Sequence, residues 1–364
     1  MFVPAVCTLF AAGFFAGGVL NVRDYGAKGD GVTNGRAAIQ VCTNAAAAAG
    51  KNVYFPAGTY YMVPSSGRCI TMPSNVELRG AGDTSIIKGL DTKANDAIFD
   101  VSGKTNIKLT DLKLMGTNTD ADAFLVLIHG VTVKNLTLTR CTFDMALNAL
   151  NISGGSQNPY SENILVQDCR TLTGCLNVAY VQRCKGFEAY GGEHEVNRVG
   201  YPYMGQPDAW HPHHFYLSGY LEGVYIHDMV LTGGCHAAIY LGGNGPAENV
   251  LFKNIKMYEI GMGWSIMNSN NVVMDGITWV HDERLSDYCI WLTGDTTNFT
   301  LKNSTITGYG TYALATVECA PTDTNTIGPN VTMTNCAGWG DADGCWVGKG
   351  STKPTIVQPV NVSK

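Results

Sequence analysis

NIKLTDLKLMG, at residues 106–116, opens with an asparagine, alternates apolar and variable side chains, turns near its sixth position and then resumes. Alternation with a period of two is typical of a β-strand with one buried face. The pattern recurs along the body of the chain, and each unit opens with Asn or Gly. The other units are NVELRG from Asn75, NLTLTRCTF from Asn135, NILVQDCRTLTG from Asn163, GFEAYGG from Gly186, GVYIHDMVLTGG from Gly223, NVLFKNIKM from Asn249, NVVMDGITW from Asn271, NFTLKNSTITG from Asn298 and NVTMTNCAG from Asn330.

The units follow one another at spacings of 22 to 37 residues. A unit of this size cannot bury its apolar face alone and must stack on its neighbours. Strands with a period of two exclude helical solenoids, and the irregular spacing argues against propeller blades. A parallel β-helix fits, because it tolerates insertions at its turns while the strand register is kept. We therefore predict an all-β, single-stranded parallel β-helix of about ten rungs over residues 74–350.

Stacking assigns roles to two kinds of recurrent residue. The asparagine that opens a unit suits a turn with positive φ, and stacked amides can bond to one another along the coil, so we interpret these asparagines as scaffold. Cys141 and Cys169 occupy the same position in successive units, which places them about 4.8 Å apart. That spacing permits a disulfide, and stacked buried thiols are the alternative.

A different pattern, NVRDYGAKGDGVTNGRAAIQ, precedes the repeats at residues 21–40. Residues 21–25 alternate like a strand, and the glycines that follow supply the positive φ of a tight reversal. Asn34 is a good N-cap for an alanine-rich helix that ends at Gly50. A second strand is expected at 52–55. The turn lacks the glycine patterns of nucleotide-binding loops, so we interpret it as structural.

The segment VRDYGAKGDGVTN, followed by AAIQ, VYFPAGTY and the Asn-led units, resembles the pectate-lyase-like right-handed β-helix superfamily. That superfamily includes phage tailspike depolymerases, pectate-lyase-type enzymes and mannuronan epimerases. The resemblance extends from about residue 21 and implies a right-handed coil whose open end is covered by a short N-terminal capping helix. It implies carbohydrate chemistry without naming the reaction. The expected divisions are an apolar segment at 1–20, the cap at 21–73, the coil at 74–350 and a tail at 351–364.

The composition limits partners and cofactors. With 24 basic and 30 acidic side chains the net charge is −6, which gives no general electrostatic reason to bind nucleic acid or an anionic membrane. Twelve cysteines occur without a CxxC pair, which argues against zinc ribbons and thioredoxin-like sites. We predict no cofactor and no metal centre, and leave a divalent cation open.

The first twenty residues carry no charge. A signal peptide would account for the apolar stretch, but no positively charged region precedes it. We therefore favour a retained segment that packs on other subunits or on a larger assembly, with a cleaved signal peptide and a membrane anchor as the alternatives.

One rung is abnormally long, because 37 residues separate Gly186 from Gly223. Six of the eight histidines lie between His194 and His236, together with several carboxylates and aromatic rings. Aromatic faces cover the apolar side of sugars, while carboxylates and imidazoles bind hydroxyls and move protons. The alternative is an irregular loop whose histidines are solvated or pack on a neighbouring subunit. The predicted substrate-binding residues of this insert are Tyr201, Tyr203, Trp210, His213, His214 and Tyr216.

Asp208 and His211 are the predicted proton-handling pair of the insert, since residues three apart in a turn can share a hydrogen bond. The partner across the groove is expected to be His194 or Glu193 at the start of the insert. YGGEHE at 190–195 faintly resembles the catalytic stretch of mannuronan epimerases, which would give Tyr190, Glu193 and His194 proton-transfer roles. The histidines at 211, 213 and 214 do not follow a zinc-binding pattern.

A second candidate patch, HDERLSDY at residues 281–288, lies at the turn of a later rung. Its ionisable side chains, Asp282, Glu283 and Arg284, would form an acid/base or binding patch. Charge clusters at β-helix turns are more often solvated edges.

Three functions compete. The first is a tailspike-like virion protein that binds and cleaves a bacterial surface polysaccharide, placed on the virion or outside the cell. The second is a secreted polysaccharide lyase, hydrolase or epimerase. The third is a non-catalytic virion protein with the same fold. By analogy with tailspikes we expect a homotrimer, with residues 1–20 at the subunit or virion contact.

Overall fold

The computed structural model describes most of the chain between residues 18 and 363. By contact the chain divides at Lys185 into two compact units, here called the N-terminal unit (described residues 18–184) and the C-terminal unit (described residues from 185 onward). The described ranges are 18–90, 96–117, 126–155, 160–172, 175–196, 213–234, 237–260, 262–281, 288–294, 296–307, 312–317, 326–327, 331–334, 345–347, 355–356 and 360–363.

Parallel strands dominate both units, and the described residues contain one α-helix, which lies between the first and the second strand. The elements up to the division are β1 (Val19–Asn21), α1 (Arg36–Ala48), β2 (Asn52–Tyr54), β3 (Gly58–Met62), β4 (Arg68–Thr71), β5 (Val76–Gly89), β6 (Ala97–Asp100), β7 (Thr105–Met115), β8 (Val126–Val131), β9 (Lys134–Thr139), β10 (Thr142–Asp144), β11 (Ala146–Ser153), β12 (Ser161–Gln167), β13 (Arg170–Thr171) and β14 (Cys175–Tyr190).

The strands that follow are β15 (Glu193–Val196), β16 (Phe215–Gly233), β17 (Ala237–Gly242), β18 (Ala247–Ile260), β19 (Met262–Met267), β20 (Ser269–Asp275), β21 (Thr278–His281), β22 (Tyr288–Thr293), β23 (Thr297–Lys302), β24 (Ser304–Thr307), β25 (Tyr312–Val317), β26 (Thr326–Ile327), β27 (Val331–Thr334), β28 (Cys345–Val347), β29 (Thr355–Ile356) and β30 (Val360–Ser363).

Each unit is a parallel β-solenoid, which confirms the predicted fold class. In the N-terminal unit Val76 pairs with Ile107, Ile107 with Leu136, and Leu136 with Ile164, all in parallel register. These side chains are buried inside the coil. The C-terminal unit repeats the arrangement with Val224, Val250, Val272 and Phe299. The chain makes about eight turns in all, somewhat fewer than the ten expected. The predicted divisions at residues 20, 73 and 350 stay predictions.

The asparagines that open the units form the predicted scaffold. Asn75, Asn106, Asn135 and Asn163 all have φ between 56° and 60°. Each later amide donates a hydrogen bond to the carbonyl oxygen of the preceding one, at 2.7, 2.8 and 2.9 Å. Asparagine tolerates this left-handed backbone better than most residues. The ladder therefore fixes the corner of every turn it passes.

Replacing Asn135 by Ala is expected to lower the free energy of unfolding by about 2–3 kcal/mol. The change removes two amide hydrogen bonds, to Asn106 and Asn163, and puts a Cβ-bearing residue without a compensating bond at φ 58°. Asn135→Gly is the matched control, because it loses the same bonds but accepts the backbone. In urea unfolding, the stability of Asn135→Gly should lie between those of wild type and Asn135→Ala. Equal stability of all three proteins would contradict the scaffold role.

The capping helix is present, with one correction at its start. Helix α1 begins at Arg36, and Gly35 rather than the predicted Asn34 occupies the N-cap position. The Asn34 side chain still accepts hydrogen bonds from the backbone N–H groups of Arg36 (3.2 Å) and Val63 (3.3 Å), so it ties the helix start to the chain after β3. The buried face of the helix consists of Ile39, Cys42, Thr43 and Ala46.

The strand predicted at residues 21–25 is wrong. Strand β1 ends at Asn21, and Val22–Tyr25 form a 3-10 helix. The Asn21 side chain accepts a hydrogen bond from the Arg23 N–H at 2.9 Å, and Gly26 closes the turn at φ 100°. Local capping by Asn21 thus overrides the apolar alternation.

Cys141 and Cys169 are stacked thiols rather than a disulfide. Both are free and buried, and the Cys141 N–H donates to the Cys169 Sγ at 3.4 Å. Burial raises the pKa of the Cys169 thiol well above its ordinary value.

No helix in the described part of the chain combines the length and apolar character needed to cross a membrane.

Candidate functional site

Many of the predicted site residues lie outside the described residues, and their roles stay predictions. They belong to the insert at 197–212 and to the later turn at 282–287. In the insert these are Asp208, His211, Tyr201, Tyr203 and Trp210, and in the later turn Asp282, Glu283 and Arg284.

Strand β15 presents Glu193 and His194 on opposite faces. Glu193 is exposed, whereas His194 is buried inside the coil with 2% of its surface exposed. The alternation of the strand causes this, since adjacent side chains point to opposite sides of a sheet. Of the two residues, only Glu193 lies where a ligand at the surface can meet it.

His213, His214 and Tyr216 pack at the start of β16. His214 is fully buried, and His213 is 4% exposed with its Nδ1 at 2.5 Å from the Ala237 carbonyl oxygen. The half-buried Tyr216 ring stacks on Tyr240 at 4.6 Å. The Tyr216 and Tyr240 rings face each other, whereas the His213 ring meets Tyr216 edge-on.

The structure brings together a group of ionisable and aromatic side chains around His227, here called the His227 cluster: Glu188, Tyr190, Tyr225, His227 and Asp228. Phe187 and Ala189 of β14 are buried, as are Val224 and Ile226 of β16. The residues that alternate with them therefore point outward from two successive turns.

Both ring nitrogens of His227 face a carboxylate. Nδ1 lies 2.6 Å from Asp228 Oδ2, and Nε2 lies 3.3 Å from Glu188 Oε1. Burial alone would lower the pKa of His227, but the hydrogen bonds with Glu188 and Asp228 outweigh it and the pKa is raised. An imidazolium can donate to both carboxylates at once, whereas a neutral ring can donate to only one. The arrangement therefore stabilises a positive charge on His227.

Two tyrosine rings enclose this imidazolium. Tyr225 stacks on His227 at 3.9 Å and Tyr190 at 4.9 Å, both nearly parallel to it. The His227 side chain is only 13% exposed, so its charge is poorly screened by water. In the next turn Lys253 is its register partner, which adds a second cation to the same outer face.

Asp228 is fixed by the scaffold. Its backbone has φ 51°, and its Oδ1 accepts a hydrogen bond from the Asn254 amide at 2.8 Å. Burial acts to raise the pKa of Asp228, but the hydrogen bonds from His227 and Asn254 hold it below its ordinary value. A turn residue of the coil thus orients the imidazole.

The sequence contained a signal for this cluster that motif reasoning missed. GFEAY and GVYIH occupy the same place in successive units, and their third and fifth residues are the outward ones. Reading those positions together gives Glu188, Tyr190, Tyr225 and His227.

A second ionisable group lies in the N-terminal unit. Asp100 accepts hydrogen bonds from Ser102 Oγ at 2.6 Å and lies near Arg68 (3.7 Å) and His129 (3.5 Å). Burial acts to raise the pKa of Asp100, but these partners hold it far below its ordinary value. The charges of Arg68 and Asp100 offset each other, so this group reads as a structural ion network.

No set of three or more His, Cys, Asp or Glu side chains in the described ranges is arranged to hold a metal ion. The prediction of no cofactor stays a prediction.

Comparison with known proteins agrees with the fold. Residues 19–174 match the model of a family described as rhamnogalacturonase A/epimerase, pectate lyase-like. A mannuronan C5-epimerase of Azotobacter vinelandii is 42% identical over 107 residues, 26% of this chain and 11% of that protein. The pre-neck appendage protein of Bacillus phage phi29 is 31% identical over 176 residues, 41% of this chain and 20% of that protein. The matches thus span between about a tenth and a fifth of these relatives.

Solved structures extend the likeness to nearly the whole chain. The A-module of a mannuronan C-5 epimerase from Azotobacter vinelandii has a TM-score of 0.61 at 18% identity, covering 94% of this chain and 99% of that module. At this identity the likeness shows the fold alone. The family match ends at residue 174, before the His227 cluster begins, so it covers the cap and the first turns of the coil. The chain is a parallel β-helix protein, and its residues 19–174 are similar to the pectate-lyase-like family.

Proposed function

We propose that this protein binds a bacterial surface polysaccharide and cleaves it by proton transfer at the His227 cluster. The observation that carries the proposal is a phenol stacked on a doubly hydrogen-bonded imidazole, on the outer face of two successive turns. A phenol exchanges protons, an imidazolium stabilises negative charge, and aromatic rings offer apolar surface to a sugar. A polysaccharide can exchange protons with the phenol, develop a negative charge beside the imidazolium, and place the apolar side of a sugar on the aromatic rings.

Each member of the cluster has a distinct role in this proposal. Tyr190 exchanges a proton with the substrate through its hydroxyl group. His227 supplies positive charge to the anion that develops, and it is not the base because both of its nitrogens are engaged. Glu188 and Asp228 are positioning residues that hold the imidazolium. Glu193, exposed just beyond the corner, is the candidate for the second proton-transfer group.

The chemistry favours elimination over hydrolysis. A typical glycoside hydrolase needs two carboxyl groups that face the sugar, about 5–9.5 Å apart. In the cluster Glu188 and Asp228 are both bound to His227, which removes them from that role. In the proposed elimination, the Glu193 carboxylate takes the proton from the sugar carbon next to the carboxyl group of a uronic acid. The glycosidic oxygen then leaves from the neighbouring carbon with the proton of the Tyr190 hydroxyl group, which breaks the chain and leaves a carbon–carbon double bond in one product.

The proposed setting is the virion surface, with a homotrimer as the assembly and residues 1–20 as the contact with other subunits or virion proteins. The similarity to a phage pre-neck appendage protein supports this setting.

Light scattering on the chain with Met1 intact is expected to give the mass of a trimer. A uniform monomer would contradict the proposed assembly.

A panel of bacterial polysaccharides tests the reaction. Elimination is expected to produce absorbance near 235 nm together with new reducing ends. Reducing ends without absorbance would identify a hydrolase and overturn the elimination step. Tight binding without either product would favour a non-catalytic virion protein.

A secreted epimerase or lyase is the second candidate, favoured by the identity of 42% to a mannuronan C5-epimerase. An epimerase would change the sugar configuration, visible by proton NMR, without shortening the chain. Sequencing the N-terminus of native material would then show whether the first twenty residues have been removed, as a secreted enzyme requires.

A further inference from the structure

Two buried histidines connect the strands on either side of the long insert. His194 lies in β15, and His214 immediately precedes β16; their exposed fractions are 2% and 0%. His214 Nε2 lies 3.2 Å from the His194 carbonyl oxygen and 3.1 Å from that of Thr232. One imidazole N–H therefore joins the start of β16 to β15 and to the far end of β16. In sequence, residues 197–212 connect the two strands.

Burial of the ring favours the uncharged form of His214. Its Nε2 carries the hydrogen that the two carbonyl groups share, so the remaining nitrogen of the neutral ring is Nδ1. Nδ1 is buried and has no hydrogen-bond partner among the described residues. A proton added there would create a buried charge without a counter-ion, and burying such a charge costs several kcal/mol.

The surroundings of the pair oppose protonation. Burial lowers the pKa of His194 to about 3, with a further contribution from His214, and it lowers the pKa of His214 to about 4 although the two carbonyl groups act in the opposite direction. Phe215 lies edge-on to His194 at 6.2 Å, and Leu231 is its register partner in β16. On β15 itself, Glu193 and Glu195 are exposed on the other face of the strand.

We propose that His194 and His214 form an acid-sensitive lock, which holds β15 and the start of β16 in the coil at neutral pH and releases them in acid. The proposal concerns conformation and is independent of the proposed polysaccharide cleavage. Release would displace Glu193 and the first residues of β16 without requiring the rest of the coil to unfold.

The direction of the pH dependence follows from linkage. Both histidines have folded-state pKa values below the ordinary 6.5. Their contribution to stability is therefore complete above about pH 6.5 and is lost as the pH falls toward 4. One buried neutral histidine changes the opening equilibrium by up to tenfold per pH unit in this range, or by up to about 50-fold between pH 6.5 and 4.5.

Hydrogen exchange with mass spectrometry tests the lock. After correction for intrinsic exchange rates, the segments at 193–196 and 213–218 are expected to lose at least tenfold in protection between pH 7 and pH 4.5. Strand β20 (Ser269–Asp275) serves as the internal reference and should keep its protection. In His214→Gln, which keeps a neutral N–H donor at every pH, the loss of protection in acid should be clearly smaller than in wild type, and the remainder belongs to His194.

Three results would overturn the lock: unchanged protection in wild type, an equal loss in His214→Gln, or a loss shared by β20, which indicates general acid unfolding. If the variant does not fold, an NMR titration of wild type replaces it. Two of the eight histidines should then stay neutral down to about pH 5, and their titration near pH 6.5 would contradict the proposal.

Discussion

Replacing Tyr190 by Phe is expected to reduce turnover of the polysaccharide substrate by about 10²-fold or more while leaving the coil folded. The substitution removes only the hydroxyl group, so the ring can still stack on His227 at the same place. Loss of activity would then follow from the missing proton and not from lost packing. The measurement is kcat on the substrate identified by the polysaccharide panel, together with Tm.

Tyr220→Phe is the matched control for this experiment. Tyr220 is 47% exposed and lies in β16 outside the His227 cluster, so the same loss of a hydroxyl should leave activity unchanged. The competing assignments are tested in the same series by Asp208→Asn, His211→Ala and Glu283→Gln. If Tyr190→Phe keeps full activity while a variant of the insert or of the later turn loses it, the reaction centre lies there instead.

The His227 charge gives the reaction a pH dependence. Because the pKa of His227 is raised in the folded protein, the imidazolium persists to a higher pH than that of an ordinary histidine and is lost as the pH rises through the raised value. Activity should fall on this alkaline side. In His227→Gln the rate should be low throughout, and the alkaline decline should disappear. An unchanged alkaline decline in that variant would assign the titration to another group.

Replacing Gly242 by Ala is expected to lower the free energy of unfolding by about 3 kcal/mol or more. Gly242 ends β17 with φ +93°, and an added Cβ would lie 1.8 Å from the Met267 carbonyl oxygen of β19. Backbone atoms cannot move aside as a flexible side chain does, so the two neighbouring turns must separate. A Tm decrease of roughly 6–12 °C follows for a unit of this size.

Gly50→Ala separates the cost of the left-handed backbone from the cost of the clash with a neighbouring turn. Gly50 follows the capping helix with φ +62°, but no atom lies within 4 Å of a Cβ placed there. Gly50→Ala should therefore lower the free energy of unfolding by only about 1 kcal/mol, which is the effect of the left-handed backbone alone. Equal losses at Gly242 and Gly50 would show that backbone conformation, and not close stacking of the turns, decides the effect.

The regular features of the coil were readable from the sequence because they depend on neighbours along the chain. Apolar alternation gave the strands, and the recurrent Asn gave the positive φ corners at Asn75, Asn106, Asn135 and Asn163. Equal positions in successive units predicted that Cys141 and Cys169 stack, but left open whether they form a disulfide; the structure shows free thiols. Local rules failed at residues 21–25, where the Asn21 side chain captures a backbone N–H and turns the expected strand into a 3-10 helix.

Side-chain groupings across turns depended on the tertiary structure. Tyr190 and His227 are 37 residues apart in the chain and meet only because consecutive turns stack about 4.8 Å apart. Strand alternation places His194 and Glu193 on opposite faces, and the stacked turns decide that His194 is the buried one. The sequence by itself determined a parallel β-helix, since strand periodicity and corner residues are local properties. Which ionisable groups share a surface, and which are buried without a counter-ion, was decided by the register between turns.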